Sequence, residues 1–138
     1  MKEIIPGLLF VGNVRDARNI SAVLSFEIAA VVDLAAEEAP IVFPRDVVYC
    51  RFPISDSGGN KTAFLQGAID SIANLLREQV PTLIACSAGM SRSPSIAAAA
   101  ISTVEGLTLD DALNMVSRFG PCDVHPMLWK EIQGVCST

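Results

Sequence analysis

Residues 83–101 constrain the fold of this chain more than any other segment. They open with a short apolar run, continue through a loop of small residues that begins at Cys86, and end in a stretch of alanines and isoleucines. A brief apolar run after Pro81 is typical of a buried strand, and an alanine-rich stretch favours a helix. The sequence therefore predicts a strand, a tight loop and a helix in direct succession.

The loop between this strand and this helix has the composition of an anion-binding site. A helix that begins near Arg92 directs its unpaired backbone N–H groups and the positive end of its dipole toward the loop. Small side chains let the backbone curl around a group of the size of a phosphate, and the Arg92 guanidinium can add two charge-assisted hydrogen bonds. The predicted phosphate-binding residues are Ser87, Ala88, Gly89, Met90, Ser91 and Arg92.

Cys86 lies at the base of this predicted cradle. The same positive field favours the thiolate form of its side chain, and a thiolate beneath a bound phosphoryl group is positioned to act as a nucleophile. A Cys and an Arg separated by five residues are a weak signal alone, so the prediction rests also on Gly89 and on the flanking strand and helix. The alternative is a buried structural cysteine beside a surface arginine.

The run Cys86-Ser-Ala-Gly-Met-Ser-Arg92-Ser93 resembles the signature loop of cysteine-dependent protein phosphatases, specifically the dual-specificity branch, which typically reads His-Cys-x-x-Gly-x-Ser-Arg-Ser. Residues 5–13 are similar to the family's opening segment, I-x-P-G-L-y-x-G. The resemblance extends over nearly the whole chain. It implies one catalytic domain over residues 1–138, with a phosphotyrosine-phosphatase-like fold, no metal and no cofactor.

The order of predicted elements agrees with that fold. Strands are predicted at residues 4–5, 8–11, 29–34, 47–52 and 82–85, and helices at residues 16–24, 61–77, from about 92, from 108, and at 126–135. The first two strands are expected to pair, and Asn60 is expected to cap the helix that follows it. Strands that alternate with helices indicate an α/β fold with a central, mostly parallel sheet flanked by helices, and a site at the carboxyl ends of the strands.

Asp56 is the predicted general acid. It lies on a glycine-rich loop between a strand and a helix, as the matching acid of the family does, and such a loop can reach over the site. The alternatives are that Asp56 is an ordinary solvated loop carboxylate, or that Asp46 is the acid, although Asp46 precedes the strand. Asp33, near the end of a buried strand, is interpreted as structural.

The resemblance also assigns the remaining catalytic roles. It implies that Cys86 attacks phosphorus to form a phosphocysteine, and that Arg92 stabilises the transition state. Ser93 matches the family hydroxyl that hydrogen-bonds the sulfur, the alternative being an ordinary serine at a helix N-terminus.

One position departs from the family pattern. The His that precedes the Cys in the family is Ala85 in this chain. In the family this His supports the loop and the thiolate, so we expect lower activity or a shifted pH optimum here.

The resemblance predicts a hydrolase that dephosphorylates phosphotyrosine, and phosphoserine or phosphothreonine if the pocket admits them, in phosphoproteins or small aryl phosphates. Two other classes stay open. One is a pseudophosphatase, a module that binds phosphate without turnover, which Ala85 favours. The other is a rhodanese-like sulfurtransferase, which also uses a Cys beneath a backbone-lined loop but has no need of Asp56.

Composition excludes several partners and environments. The net charge of −5 argues against nucleic acid, and the uncharged loop positions argue against polyanionic inositol lipids, for which related phosphatases place Lys or Arg there. No apolar run reaches the length of a membrane span, so no membrane partner is expected. The four cysteines show neither close pairs nor zinc spacing, and we expect a cytoplasmic monomer with reduced thiols.

Overall fold

Strands and helices alternate along residues 1–137, the part of the chain that the computed structural model describes. The strands are β1 (Lys2–Ile5), β2 (Leu9–Asn13), β3 (Ala30–Ala35), β4 (Val48–Ile54) and β5 (Thr82–Cys86). The helices are α1 (Val14–Arg18), α2 (Ile20–Ser25), α3 (Thr62–Arg77), α4 (Arg92–Glu105), α5 (Leu109–Ser117) and α6 (Pro126–Cys136). Within residues 1–137, no helix combines the length and the apolar character that crossing a membrane requires.

The five strands form one sheet in the order β1-β2-β5-β3-β4. β1 pairs with β2 antiparallel, whereas β2, β5, β3 and β4 are parallel to one another. This confirms the predicted α/β fold with a central, mostly parallel sheet. Because the carboxyl ends of parallel strands meet at one edge, Asn13, Ala35, Ile54 and Cys86 all lie at that edge.

β5 is the centre of the sheet and is buried on both faces. Side chains alternate along a strand, so Ile84 and Cys86 face the larger core while Leu83 and Ala85 face the smaller one. The larger core is covered by α3, α4, α5 and α6, and the smaller one by α1 and α2. Burial on both faces explains why β5 is a continuous apolar run rather than an alternating one.

α4 lies against the sheet between α3 and α5, and its residues from Arg92 to Ile101 are buried. The alanines at positions 97–100 have no solvent exposure. Small side chains let the helix axis approach the sheet closely, which holds the first turn of α4 directly beside the end of β5. This packing therefore fixes the N-terminal end of α4, which carries Arg92.

Two local predictions were wrong. The single helix expected over residues 16–24 is two helices, because Asn19 ends α1 and its side chain accepts a hydrogen bond from the Ala22 N–H to begin α2. Asn60 does not cap α3. Lys61 holds the cap position without a side-chain hydrogen bond, and the Asn60 amide bonds the backbone of Ser55 instead.

Asp33 is buried in the smaller core, in agreement with its structural interpretation. Its carboxylate accepts hydrogen bonds from the Tyr49 hydroxyl at 2.6 Å and from the Ala35 N–H at 3.0 Å. The same hydroxyl accepts a hydrogen bond from the Ile41 N–H at 3.3 Å. Burial, and next the hydrogen bond to Asp33, raises the pKa of Tyr49. Tyr49 therefore joins β4 to β3 and to the loop between them.

Replacing Tyr49 with Phe tests this network. The ring is kept, together with its contact with Phe43 at a centroid distance of 5.2 Å. Only the hydroxyl is lost, which leaves a buried carboxylate oxygen and a backbone N–H without this partner. We expect the free energy of unfolding in urea to fall by about 1–3 kcal/mol. The exposed control Ser117→Ala should change it by less than about 0.5 kcal/mol, and an equal value for both variants would contradict the network.

Candidate active site

The loop between β5 and α4 curls tightly against β2. Gly89 has φ of +74°, a left-handed conformation that side-chain-bearing residues rarely adopt. A Cβ atom at this position would lie 3.0 Å from both the carbonyl carbon and the oxygen of Gly12. Only glycine therefore satisfies both the backbone conformation and the close approach that this loop requires.

The sulfur of Cys86 lies at the centre of the loop. The residue is 2% exposed, and Sγ accepts hydrogen bonds from the N–H of Gly89 at 3.2 Å and of Ser93 at 3.4 Å. Ser93 Oγ lies 2.9 Å from Sγ, and it also lies 3.0 Å from the Gly12 carbonyl oxygen, to which it donates. A hydroxyl carries one hydrogen, so while Ser93 donates to the Gly12 carbonyl its oxygen can only accept from a Cys86 thiol. To donate to a Cys86 thiolate, Ser93 must turn its hydrogen away from the carbonyl.

The Arg92 guanidinium is buried and held from one side. Its Nη1 and Nη2 donate to the two oxygens of Glu37 at 2.7 and 3.1 Å, and Nη1 also donates to the Ile54 carbonyl at 3.0 Å. The hydrogen bond from Arg92 holds the pKa of Glu37 down to about 2. Burial opposes the charge of Arg92, but the hydrogen bond to Glu37 and the nearby Cys86 and Asp56 side chains outweigh it and raise the pKa of Arg92.

A hydrogen bond with Ser91 connects Asp56 to the loop between β5 and α4. The Ser91 hydroxyl donates a short hydrogen bond to Asp56 Oδ1, and it accepts a hydrogen bond from the His125 N–H at 2.9 Å. The loop after β4, the loop after β5 and the start of α6 therefore meet at one hydroxyl. The predicted competitor Asp46 is exposed and precedes β4, at the opposite edge of the sheet from Cys86.

The structure thus brings Cys86, Arg92, Ser93 and Asp56 together around one loop. The predicted phosphate-binding residues form that loop, but two of their hydroxyls have other partners. Ser91 donates to Asp56, and Ser87 donates to Glu38 at 3.1 Å. At these two positions the backbone N–H groups, rather than the side chains, are left to meet an anion.

Ala85 contributes a buried methyl group on the opposite face of the sheet from Cys86. It is 1% exposed, and its neighbours on the adjacent strands are Gly12 and Asp33. The sequence analysis did not identify Glu37 as a residue of the site. The sequence feature that could have indicated Glu37 is its place just after a predicted parallel strand, because binding sites in such sheets form at the carboxyl ends of the strands.

A family comparison agrees with this geometry. The model of the dual specificity phosphatase catalytic domain matches residues 9–130. The chain belongs to the dual specificity phosphatase family. This confirms the resemblance seen in the Cys86 loop. The match covers both the parallel strands β2 to β5 and that loop, so the fold and the loop belong to the same family domain.

Individual relatives support the same assignment. The chain is 34% identical to dual specificity protein phosphatase Mpk3 of Drosophila melanogaster, over 90% of this chain and 30% of that protein. It is 30% identical to dual specificity protein phosphatase 22 of Mus musculus, over 93% of this chain and 68% of that protein. The chain therefore spans less than a third of the length of Mpk3.

Solved structures share the whole fold. Human DUSP28 superposes with a TM-score of 0.87 at 22% identity, covering 99% of this chain and 96% of that one. A mouse dual specificity phosphatase complexed with zinc tungstate gives a TM-score of 0.86 at 23% identity, covering 99% of this chain and 86% of that one.

Replacing Glu37 with Gln tests whether Glu37 keeps the Arg92 guanidinium in position to bind an anion. The buried guanidinium loses its charged partner, so we expect tungstate to bind about three- to tenfold more weakly, the loss being limited by the exposure of Glu37. Calorimetric titration measures this loss. Glu105→Gln is the matched control, since it makes the same charge change at an exposed residue at the far end of α4 from Arg92. Equal affinities for parent and Glu37→Gln would contradict the proposed hold.

The lowered pKa of Glu37 makes the contribution of Glu37 to the stability of the fold depend on pH. Its pKa falls from 4.5 to about 2 in the fold, so the stabilisation is complete above pH 4.5 and is lost as the pH falls through about 2. The difference in unfolding midpoint between parent and Glu37→Gln should therefore stay constant from neutral pH to about 5 and shrink below that. A difference that grows on acidification would contradict the assignment.

Proposed function

We propose that the chain is a phosphoric monoester hydrolase that dephosphorylates phosphotyrosine, and phosphoserine or phosphothreonine, in proteins through a phosphocysteine at Cys86. Membership of the dual specificity phosphatase family supports protein phosphatase activity. The observation that carries the finer proposal is the convergence of Cys86, Arg92, Ser93 and Asp56 on one loop.

In the first step the Cys86 thiolate attacks phosphorus as the bond to the leaving oxygen breaks. Negative charge is spread over the three equatorial oxygens in a loose transition state. The loop N–H groups and Arg92 meet this charge. Since Glu37 and Ile54 engage Nη1 and one hydrogen of Nη2, the edge formed by Nε and the second Nη2 hydrogen can bind two phosphoryl oxygens.

Asp56 supplies the proton that the leaving oxygen needs. Its link to Ser91 holds the carboxyl beside the loop, so a leaving group in the cradle would come within its reach. In the second step water attacks the phosphocysteine, Asp56 takes the proton of that water, and the thiolate leaves. Ser93 would then donate to the departing sulfur, which lies 2.9 Å from its hydroxyl.

A solved structure of a similar protein also supports a phosphoryl group as the ligand of this loop. The structural neighbour from mouse is complexed with zinc tungstate, and tungstate presents four oxygens around a tetrahedral centre as phosphate does. We propose that the same loop here binds the phosphoryl group of a phosphoprotein or a small aryl phosphate. The four cysteines are free thiols, which fits the proposed cytoplasmic location, and we propose a monomer.

A second candidate is a module that binds phosphate without turnover. Ala85 is the specific observation in its favour, since a buried methyl group stands where the family pattern has His. A rhodanese-like sulfurtransferase is a weaker candidate, because its chemistry gives no role to Asp56. Transfer of sulfur from thiosulfate to cyanide is the assay that separates it.

The pH–rate profile of an aryl phosphate tests the proposal. We expect an active parent, an inactive Cys86→Ser variant, and an Asp56→Asn variant that loses the decline at high pH and about 10²–10⁴ in rate. The control Asp46→Asn, exposed at the opposite edge of the sheet, should match the parent. An inert parent that still binds tungstate would contradict the proposal and favour the binding module.

A further inference from the structure

A carboxylate on α6 binds the loop that carries Asp56. Glu131 Oε2 accepts hydrogen bonds from the N–H groups of Gly59 at 2.9 Å and Asn60 at 3.2 Å. Glu131 Oε1 accepts from Asn60 Nδ2 at 2.8 Å. Three donors of one short loop therefore converge on one side chain, and this side chain lies about 70 residues further along the chain.

Asn60 extends this contact to the residue beside Asp56. Its Oδ1 accepts a hydrogen bond from the Ser55 N–H at 2.7 Å, and its Nδ2 donates to the Ser55 carbonyl at 2.8 Å. The base of the loop is thereby closed from Ser55 to Asn60. A direct series of hydrogen bonds runs from Glu131 through Asn60 to the backbone at Ser55, which immediately precedes Asp56.

Above the base that Ser55 and Asn60 close, the loop contains two glycines in left-handed conformations. Gly58 and Gly59 have φ of +96° and +75°, and glycine gains the most freedom when its contacts are released. A Cβ on Gly58 would lie 3.3 Å from the Met127 Cβ, so the loop packs on the face of α6 that carries Met127 and Glu131. The conformation of the loop thus depends on α6.

We propose that Glu131 is a positioning residue for the general acid Asp56. Its carboxylate fixes the loop through Gly59 and Asn60, while the start of α6 fixes the Asp56 carboxyl through His125 and Ser91. The hydrogen bonds of Glu131 go to Gly59 and Asn60, and not to Cys86 or Arg92. The inference rests on the proposed function, because it assigns Asp56 as the proton donor.

The conservative variant Glu131→Gln tests the role sharply. All three bonds to Glu131 come from N–H donors, and a carboxylate accepts all of them. Glutamine has the same length but presents one acceptor and one NH2 group, so it opposes at least one of these donors. The loop should loosen while α6 and the Cys86 loop keep their structure.

The readout is the dependence of kcat/KM on the leaving group, because kcat/KM reports the first step, in which the leaving oxygen takes the proton, and not the hydrolysis of the phosphocysteine that both substrates share. A poor leaving group, as in phenyl phosphate, needs the proton from Asp56 more than a good one, as in p-nitrophenyl phosphate. We expect Glu131→Gln to lower kcat/KM for phenyl phosphate by about tenfold, part of the 10²–10⁴ that a general acid provides. We expect less than a threefold loss for p-nitrophenyl phosphate, and tungstate affinity equal to that of the parent. Asn60→Asp should reproduce the selective loss from the loop side.

A double-mutant cycle separates positioning from general damage. If Glu131 acts through Asp56, then Asp56→Asn with Glu131→Gln is no slower than Asp56→Asn alone. The control Asp70→Asn makes the same charge change on an exposed face of α3 and should resemble the parent. Equal losses for both substrates, or additive effects in the cycle, would overturn the inference. An inactive parent would instead refute the proposed function.

Discussion

The close contact between the loop after β5 and the end of β2 is the constraint on which the site depends. Gly89 can lie against Gly12 only because it has no side chain, and Ser93 donates to the carbonyl of the same glycine. These two contacts hold the loop and the first turn of α4 around Cys86. The buried alanines of α4 serve the same end, since they keep that helix against the sheet.

Charge is arranged around this loop by acids that come from elsewhere in the chain. Glu37 follows β3 and holds Arg92, Asp56 follows β4 and meets Ser91, and Glu131 on α6 holds the loop of Asp56. The strands β3, β4 and β5 thus each end in a loop that contributes one part of the site. The fold brings these parts together because its parallel strands end at one edge.

Local sequence patterns predicted the strand, loop and helix around Cys86 and the parallel sheet. The apolar run of β5, the small loop residues and the alanines of α4 each indicate their structure without reference to the rest of the chain. The Glu37–Arg92 and Glu131–Asn60 contacts join residues 55 and 71 positions apart, and no short pattern announces them. Asn60 shows the limit of local rules, because bonds to Ser55 and Glu131 displaced the cap that its position predicted.

The central claim is that Cys86 carries the phosphoryl group between two steps. Rapid quenching of the Ser93→Ala variant with an aryl phosphate, followed by mass spectrometry, tests it most directly. Without the Ser93 hydroxyl near Sγ the thiolate leaves more slowly, so the account predicts one phosphoryl group accumulating on the peptide that contains Cys86. Turnover of the aryl phosphate with no phosphoryl group on that peptide at any quench time would contradict it.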